Sequence, residues 1–303
     1  MRKIRVALGG TGVETHLQTI IQTVQNADRN GEFEIFPLLD RKSFYSALLK
    51  FDIYHELFGY AATKRYIICK LLGRKTICHW TGSDVLLALK SPERARFTAK
   101  FVDLQLVAYH NLINELHPLG IQAIEWVLPT LNIENARIYP LPDQFTILAY
   151  LPAKNHAFYG SEIIFRLAQE LDQINFIILT GGSHDFPPQK NIHYYGWIAL
   201  EDWPLQIEKI YQQTSLLIRA TPHDSSALMV IEALARGRQV IFSAYPREYC
   251  HYATDYHSIK DKVLALQNNI QPNQEGSKYV REKYQPQVLA QQLLTFYREL
   301  YIK

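Results

Sequence analysis

The 303-residue chain is poor in cysteine, with three, and in methionine, with two. Cys69, Cys78 and Cys250 are odd in number and lack metal-ligand spacing, so neither a disulfide framework nor a zinc site follows from them. They fit a reducing compartment, where they pack as small apolar side chains. No run of 18 apolar residues is present, which excludes a membrane-spanning helix. The start, MRKIRVALGGTG, reaches glycine before it could build the apolar core of a signal peptide. A cytoplasmic protein is therefore expected. There is no Asp-x-Asp to clamp a metal–phosphate complex, no His-Glu-x-x-His and no Gly-x-Ser-x-Gly elbow. Charge of one sign is scarce as well. The formal net charge of +3 is too weak to argue for nucleic acid as a partner.

What is present is a steady alternation of short apolar runs with helical patterns. Strands are expected at 3–8, 33–39, 51–55, 75–80, 104–108 and 123–127, with helices at 13–27 and 60–72. The rhythm repeats with strands at 145–150, 175–180, 192–195, 215–219 and 239–243 and helices near 161–171, 203–213, 225–236 and 258–268. Such alternation implies parallel sheets covered on both faces. The segment IYPLPDQ (138–144) breaks it, because two closely spaced prolines suit neither helix nor central strand. It is the expected linker between an N-terminal domain, 1–140, and a C-terminal domain, 141–285. Residues 286–303 read as an amphipathic helix opened by Pro286, free to pack on either domain.

Ligands of open parallel sheets bind beyond the carboxyl ends of the strands, so the loops there carry the functional signal. In LGGTGVETHLQ (8–18), Gly10 and Gly12 allow close backbone approach before a helix start, although a tight turn without ligand fits equally. HWTGSDV (79–85) clusters His79 and Asp84 about a glycine turn, with Asp84 or Ser83 as the alternative N-cap of the next helix. The richest stretch is LLIRATPHDSSALMVIEALARGRQVIFS (216–243). Here a strand ends at Arg219, a turn carries Thr221, His223 and Asp224, and Ser225 and Ser226 stand where a helix would offer free N–H groups to an anion. Glu232 sits inside that apolar helix. Two structural explanations compete with a ligand-binding one: an i,i+4 pair with Arg236, and capping by Asp224.

Asp224, seven intervening residues, Glu232-Ala233, Gly237 and then Val240-Ile241 resemble the signature of the retaining glycosyltransferases of family 4, the group 1 glycosyl transferases. The resemblance implies the GT-B fold, an α/β architecture of two Rossmann-like parallel-sheet domains facing a central cleft. It implies that Glu232 binds the ribose hydroxyls of a sugar nucleotide and Asp224 the donor sugar, while N–H groups near Ser225 and Ser226 hold the diphosphate. GGTGVETH is similar to the family's Gly-rich first loop and HWTGSD to its His-bearing turn. Gly181 and Gly182 match a glycine loop after a strand. YYGWI (194–198), with Gly196 and Trp197, resembles the stretch that meets the nucleobase. By the same resemblance Asp224, Arg219 and His79 are the candidate catalytic residues. Glu232, Ser225, Ser226, Lys154, Gly181, Gly182, Gly196, Trp197 and Thr221 would bind the donor, and Gly10, Gly12 and Asp84 would face the acceptor. No metal or cofactor is implied; the sugar nucleotide is a co-substrate, and the acceptor is a glycan or lipid-linked hydroxyl.

Two departures stand out. The first acidic position, usually Glu in the family, is Asp224. The family's Arg and Lys after the linker are replaced by a stretch that offers only Lys154, assisted by Arg219. These departures leave a second reading open, a GT-B-like partner subunit that binds sugar nucleotide or glycan without transferring it; an epimerase on the same fold is a third. Separately, Lys64, Arg65, Lys70 and Arg74 within YAATKRYIICKLLGRK (60–75) are either the solvated face of a packed helix or a contact for an anionic membrane surface.

Overall fold

The computed structural model describes residues 2–10, 14–130, 133–182, 184–199 and 202–302. Two parallel six-stranded sheets organise it. The first contains β1 (Ile4–Gly9), β2 (Phe33–Leu38), β3 (Ile53–Leu57), β4 (Lys75–Trp80), β5 (Leu104–Val107) and β6 (Ile124–Glu125), in the order β2-β1-β3-β4-β5-β6. The second contains β7 (Thr146–Tyr150), β8 (Asn175–Leu179), β9 (Ile192–Tyr195), β10 (Leu216–Arg219), β11 (Gln239–Phe242) and β12 (His251–Tyr252), in the order β12-β11-β10-β7-β8-β9. Runs such as TILAY, NFIIL and QVIF lie almost wholly buried, as parallel strands covered on both faces require.

Helices α1 (Glu14–Ala27), α2 (Arg41–Ala47), α3 (Thr63–Leu71), α4 (Ser83–Lys90), α5 (Pro92–Ala99) and α6 (Asn111–Leu116) connect the first sheet. In the second sheet the connections include α7 (Ser161–Glu170), α8 (Trp203–Gln212) and α9 (Leu228–Ala235), and α10 (Tyr256–Asn268) and α11 (Gln274–Lys283) follow β12. The chain ends in α12 (Pro286–Ile302). No helix among the described residues is long and apolar enough to cross a membrane.

By its contacts the chain forms one unit from residues 1–131 with 284–303 and another from 132–283. The proline segment 138–144 thus lies inside the second unit rather than between two. The Pro140 carbonyl accepts from Arg238 at 3.3 Å, and Ile138 packs on Gly237. Gly237 ends the α9 region at φ +70, and a Cβ there would stand 2.8 Å from the Ile138 side chain, so only glycine serves without strain. The terminal helix belongs to the first unit. Trp126 Nε1 donates to the Leu289 carbonyl at 2.8 Å, Tyr297 Oη bonds His55 Nδ1 at 2.8 Å, and Arg298 pairs with Glu32 at 2.9 Å.

The basic stretch is less free than its sequence suggests. The expected helix 60–72 divides into a 3-10 turn, Gly59–Ala62, and α3. Arg65 pairs with the buried Glu56, Lys70 with Asp103, and Arg74 approaches Asp52 at 3.8 Å. Lys64 remains exposed. Three of the four charges, read in the sequence as either a solvated helix face or a membrane contact, are therefore balanced by carboxylates of their own unit. Short helices such as α2, α5 and α6 carry weak periodicity, and sequence reading did not single them out.

Burial in the first unit has a pH consequence. His79, on β4, is fully buried with its ring 5.6 Å from that of His55 and 5.4 Å from that of Trp126, and burial drives its imidazole down to about 3. An unfolded histidine titrates near 6.5, so the unfolded chain takes up the proton first. The stability contributed by neutral His79 is complete above about 6.5 and is lost as the pH falls toward about 3, at about 1.4 kcal/mol per pH unit. Glu56, pushed up to about 8 by burial, acts in the opposite sense, so total stability does not isolate the effect. The comparison of wild type with His79→Phe does. In urea unfolding at pH 7 and pH 5, the wild type should lose about 2 kcal/mol relative to the variant; parallel behaviour would refute the assignment.

Candidate functional site

The second sheet reverses its strand order between β7 and β10. From β7 the chain runs outward through β8 and β9, then returns to the other side of β7 for β10, β11 and β12. This is the topological switch point, where neighbouring loops diverge and leave a crevice beyond the carboxyl ends. Ile218 pairs with Ala149, so Tyr150 and Arg219 emerge side by side. The Arg219 guanidinium lies 4.6 Å from the Tyr159 ring centre and 5.6 Å from that of Tyr150. Its Nε donates to Asp224 Oδ2 at 2.7 Å. Its terminal nitrogens donate to no described residue, which leaves them available to an anion. Gly160, at φ +77, lets the loop after β7 touch the loop after β10: a Cβ on it would fall 2.3 Å from the Ala220 carbonyl oxygen.

The turn after β10 differs from the expected one. α9 begins at Leu228, not 225, and its N-cap is Ala227, in the left-handed region at φ 47 and with no side-chain cap. Asp224 therefore does not cap the helix. Its Oδ1 accepts from the Ser225 N–H at 2.9 Å while Oδ2 holds Arg219. Ser225 and Ser226 are buried ahead of the helix, and Thr221 closes the turn by donating to the His223 carbonyl at 2.9 Å. The sequence expected a helix here because SSALMV carries no helix breaker; the left-handed residue is enforced by tertiary contacts.

Glu232 is buried in the second turn of α9, and the alternative pair with Arg236 is not formed by its side chain. Arg236 Nε donates to Glu208 at 3.0 Å, and its Nη1 reaches only the backbone carbonyl of Glu232, at 3.0 Å. The Glu232 carboxylate accepts from Tyr211 Oη at 3.3 Å. Burial raises its carboxyl to about 7, against the opposing influence of Arg236 and the Tyr211 hydrogen bond. An acid so placed is costly to ionise until a ligand supplies donors.

The remaining donor-side candidates share the same sheet edge. Gly181, at φ +65, and Gly182 follow β8, with Thr180 Oγ1 donating to the Gly182 carbonyl at 2.7 Å. Gly182 has open space beside it, and its carbonyl oxygen is 3.9 Å from where a Cβ of Gly196 would stand. Trp197 is 76% exposed, a large flat ring without cover in its unit. Lys154 is exposed on the loop after β7, with no partner among the described residues. Tyr150, Tyr159 and Tyr211 were missed in the sequence; the strand-end position of Tyr150, directly before the loop, was the available signal.

The other candidates belong to the first unit. Gly10 follows β1, and Gly12 lies outside the described residues. His79 is enclosed rather than presented at a surface, and His16 on α1 is near enough that its charge would lower His79 further. Asp84 is not the N-cap of α4, which is Gly82. Its Oδ1 accepts from the N–H groups of Thr81, Gly82 and Val85 at 2.9, 3.0 and 3.2 Å, while Oδ2 is buried without a hydrogen-bond partner. Burial outweighs those bonds and lifts the carboxyl to about 6. Among the described residues no group of three His, Cys, Asp or Glu is placed to hold a metal ion.

No protein-family model matches the sequence, and no curated protein matches it. Solved structures do match in fold. HepE of Anabaena, determined with UDP, is 12% identical with a TM-score of 0.75, covering 98% of this chain and 100% of that one. Sucrose-phosphate synthase from Thermosynechococcus elongatus is 13% identical with a TM-score of 0.77, over 99% and 100%. The lipopolysaccharide outer core galactosyltransferase WaaB is 16% identical with a TM-score of 0.60, over 98% and 97%. The architecture shared with them is the GT-B fold.

The burial of Glu232 without an ion-pair partner is measurable without any ligand. Because its folded carboxyl is raised to about 7, the stability from neutral Glu232 is complete below the unfolded value of 4.5 and lost as pH rises through about 7. Glu232→Gln, which keeps an acceptor for Tyr211, should therefore be more stable than wild type at pH 8 by about 2–3 kcal/mol and nearly equal to it at pH 5. A variant less stable than wild type at pH 8 in urea unfolding would show instead that the carboxylate is a structural ion-pair partner.

Proposed function

We propose that this chain is a glycosyltransferase that moves a sugar from a nucleoside diphosphate sugar to an acceptor hydroxyl, with retention and without a metal ion. One observation carries the reading. A buried carboxylate whose side chain holds no cation, Glu232, stands one helical turn beyond a switch-point turn that presents Arg219, Asp224 and two buried serines. The GT-B architecture and the UDP and UDP-glucose complexes of HepE support the choice of ligand class.

In this reading the ribose hydroxyls donate to Glu232, which replaces the solvation that burial removed. The diphosphate takes the Arg219 terminal nitrogens, the N–H groups ahead of α9 and Lys154, and Asp224 meets the donor sugar's hydroxyls. As the bond from the anomeric carbon to the phosphate oxygen breaks, negative charge grows on the diphosphate and is met by these donors. The acceptor oxygen bonds to the same face of the anomeric carbon, and its proton passes to the departing phosphate. Asp224 retains capacity for such a role, because each carboxylate oxygen accepts more than one hydrogen bond.

Titration calorimetry in EDTA with UDP, GDP, ADP and dTDP tests donor binding, and one of the four should bind. Glu232→Gln should weaken that nucleotide about tenfold or more, since a bond to a charged acceptor contributes about 1.5–3 kcal/mol. Asp224→Asn, which keeps an acceptor oxygen for Arg219 but removes the ion pair, should lower transfer from the sugar nucleotide by roughly a hundredfold and lower nucleoside diphosphate affinity by less. The anomeric configuration of the product, read by NMR, decides retention. Binding without transfer or hydrolysis would favour the partner-subunit reading, and donor interconversion without acceptor would favour an epimerase. Binding of none of the four nucleotides would overturn the assignment.

A further inference from the structure

The loop that follows β11 reaches back to the turn before α9. Tyr245 donates its hydroxyl to the Ser225 carbonyl, and Arg247 Nη1 donates to the Ser226 carbonyl at 2.5 Å. Two successive carbonyls are thus held by two side chains about twenty residues away in sequence. Both side chains are braced: the Tyr245 ring meets Phe242 edge-on at 4.8 Å, and the Arg247 guanidinium, itself buried, lies 6.0 Å from the Phe242 ring centre. A trans peptide directs its C=O and the following N–H to opposite sides. Fixing the carbonyls of 225 and 226 therefore fixes the N–H groups of Ser226 and Ala227 on the side away from Tyr245 and Arg247, and no cis peptide bond occurs among the described residues to alter this. The left-handed Ala227, at φ 47, follows directly, a conformation that a non-glycine residue keeps only where its surroundings impose it. Among the described residues no acceptor takes the N–H of Ser226, Ala227, Leu228 or Met229. The Ser243 hydroxyl, where the loop leaves β11, is also buried and without a hydrogen-bond partner, while its N–H holds the Arg219 carbonyl at 3.2 Å.

We propose that Tyr245 and Arg247 are positioning residues for the donor diphosphate: by pinning the carbonyls of Ser225 and Ser226 they aim the amides of Ser226 and Ala227 at the phosphates. The inference rests on the nucleotide-sugar reading above and adds a division of labour to it. Arg247 does not touch phosphate. It supplies geometry, and the neutral amides supply the bonds, next to the free nitrogens of Arg219. This arrangement offsets the scarcity of cations on the loop after β7, where Lys154 is the only one.

The experiment compares each nucleoside diphosphate with its parent nucleoside: UDP with uridine, GDP with guanosine, ADP with adenosine and dTDP with thymidine. For the pair that binds wild type, the ratio of the two affinities reports the diphosphate contacts alone. Tyr245→Phe and Arg247→Met should each lower that ratio about tenfold and leave nucleoside affinity unchanged, while Arg247→Lys, which keeps a donor, should recover part of it. Should Arg247→Met fail to fold, Tyr245→Phe and Arg247→Lys carry the test, with melting temperature confirming the native state. An unchanged ratio in folded Tyr245→Phe and Arg247→Met, or in folded Tyr245→Phe and Arg247→Lys, overturns the proposal and leaves the nucleotide-binding reading standing. Parallel loss of nucleoside and diphosphate overturns it too, because that is the signature of general loosening. Wild type that binds neither member of any pair defeats the functional reading itself, and the inference with it.

Discussion

The contact between Arg219 and Asp224 sits where the second sheet changes direction, and the geometry of the site follows from it. Asp224 divides its two oxygens between the Arg219 Nε and the Ser225 N–H, so one carboxylate fixes both the cation and the start of the turn. The guanidinium is held from the other side by the rings of Tyr150 and Tyr159. With its Nε engaged and its plane supported, Arg219 has few rotamers left, so it can offer its terminal nitrogens to a ligand at little further entropic cost. A lysine at this position could neither bridge to Asp224 through Nε nor stack in the same way.

Buried carboxylates recur in both units. Glu232 is raised to about 7, Asp84 to about 6 and Glu56 to about 8, in each case mainly by loss of water. Glu56 has Arg65 and Tyr54 for company, and Asp84 has three backbone N–H groups. Glu232 has a single tyrosine hydroxyl. Glu232, with one side-chain donor and no ion-pair partner, is the one that the functional reading assigns to a ligand, which is the arrangement expected where stability is given up for binding.

The first unit shows how a helix distant in sequence completes a domain. α12 packs on α1, and its Tyr297 and Leu289 reach His55 and Trp126, the two residues whose rings flank His79. His79 is thereby enclosed by side chains that the terminal helix holds in place. Its sequence neighbourhood, a histidine before a glycine turn, suggested a side chain presented to a ligand; the packing makes it a neutral interior group.

Much of the fold was legible in the sequence because parallel strands buried on both faces must be continuous apolar runs, and such runs are visible without coordinates. The place of Arg219 at the carboxyl end of β10, of Asp224 in the turn after it and of Glu232 in the next helix was legible in the same way. Local pattern misplaced the start of α9 and the ownership of the proline segment, and it could not name the partner of Arg236. Each was decided by contacts remote in sequence: Tyr245 and Arg247 on the turn, Glu208 on Arg236, and Arg238 on Pro140. Sequence periodicity determines which residues seek burial, since that depends on each side chain's own chemistry. Which polar group finds which partner is set only when the sheet closes, because a hydrogen bond requires two atoms within about 3 Å of each other, and only the tertiary structure brings them there.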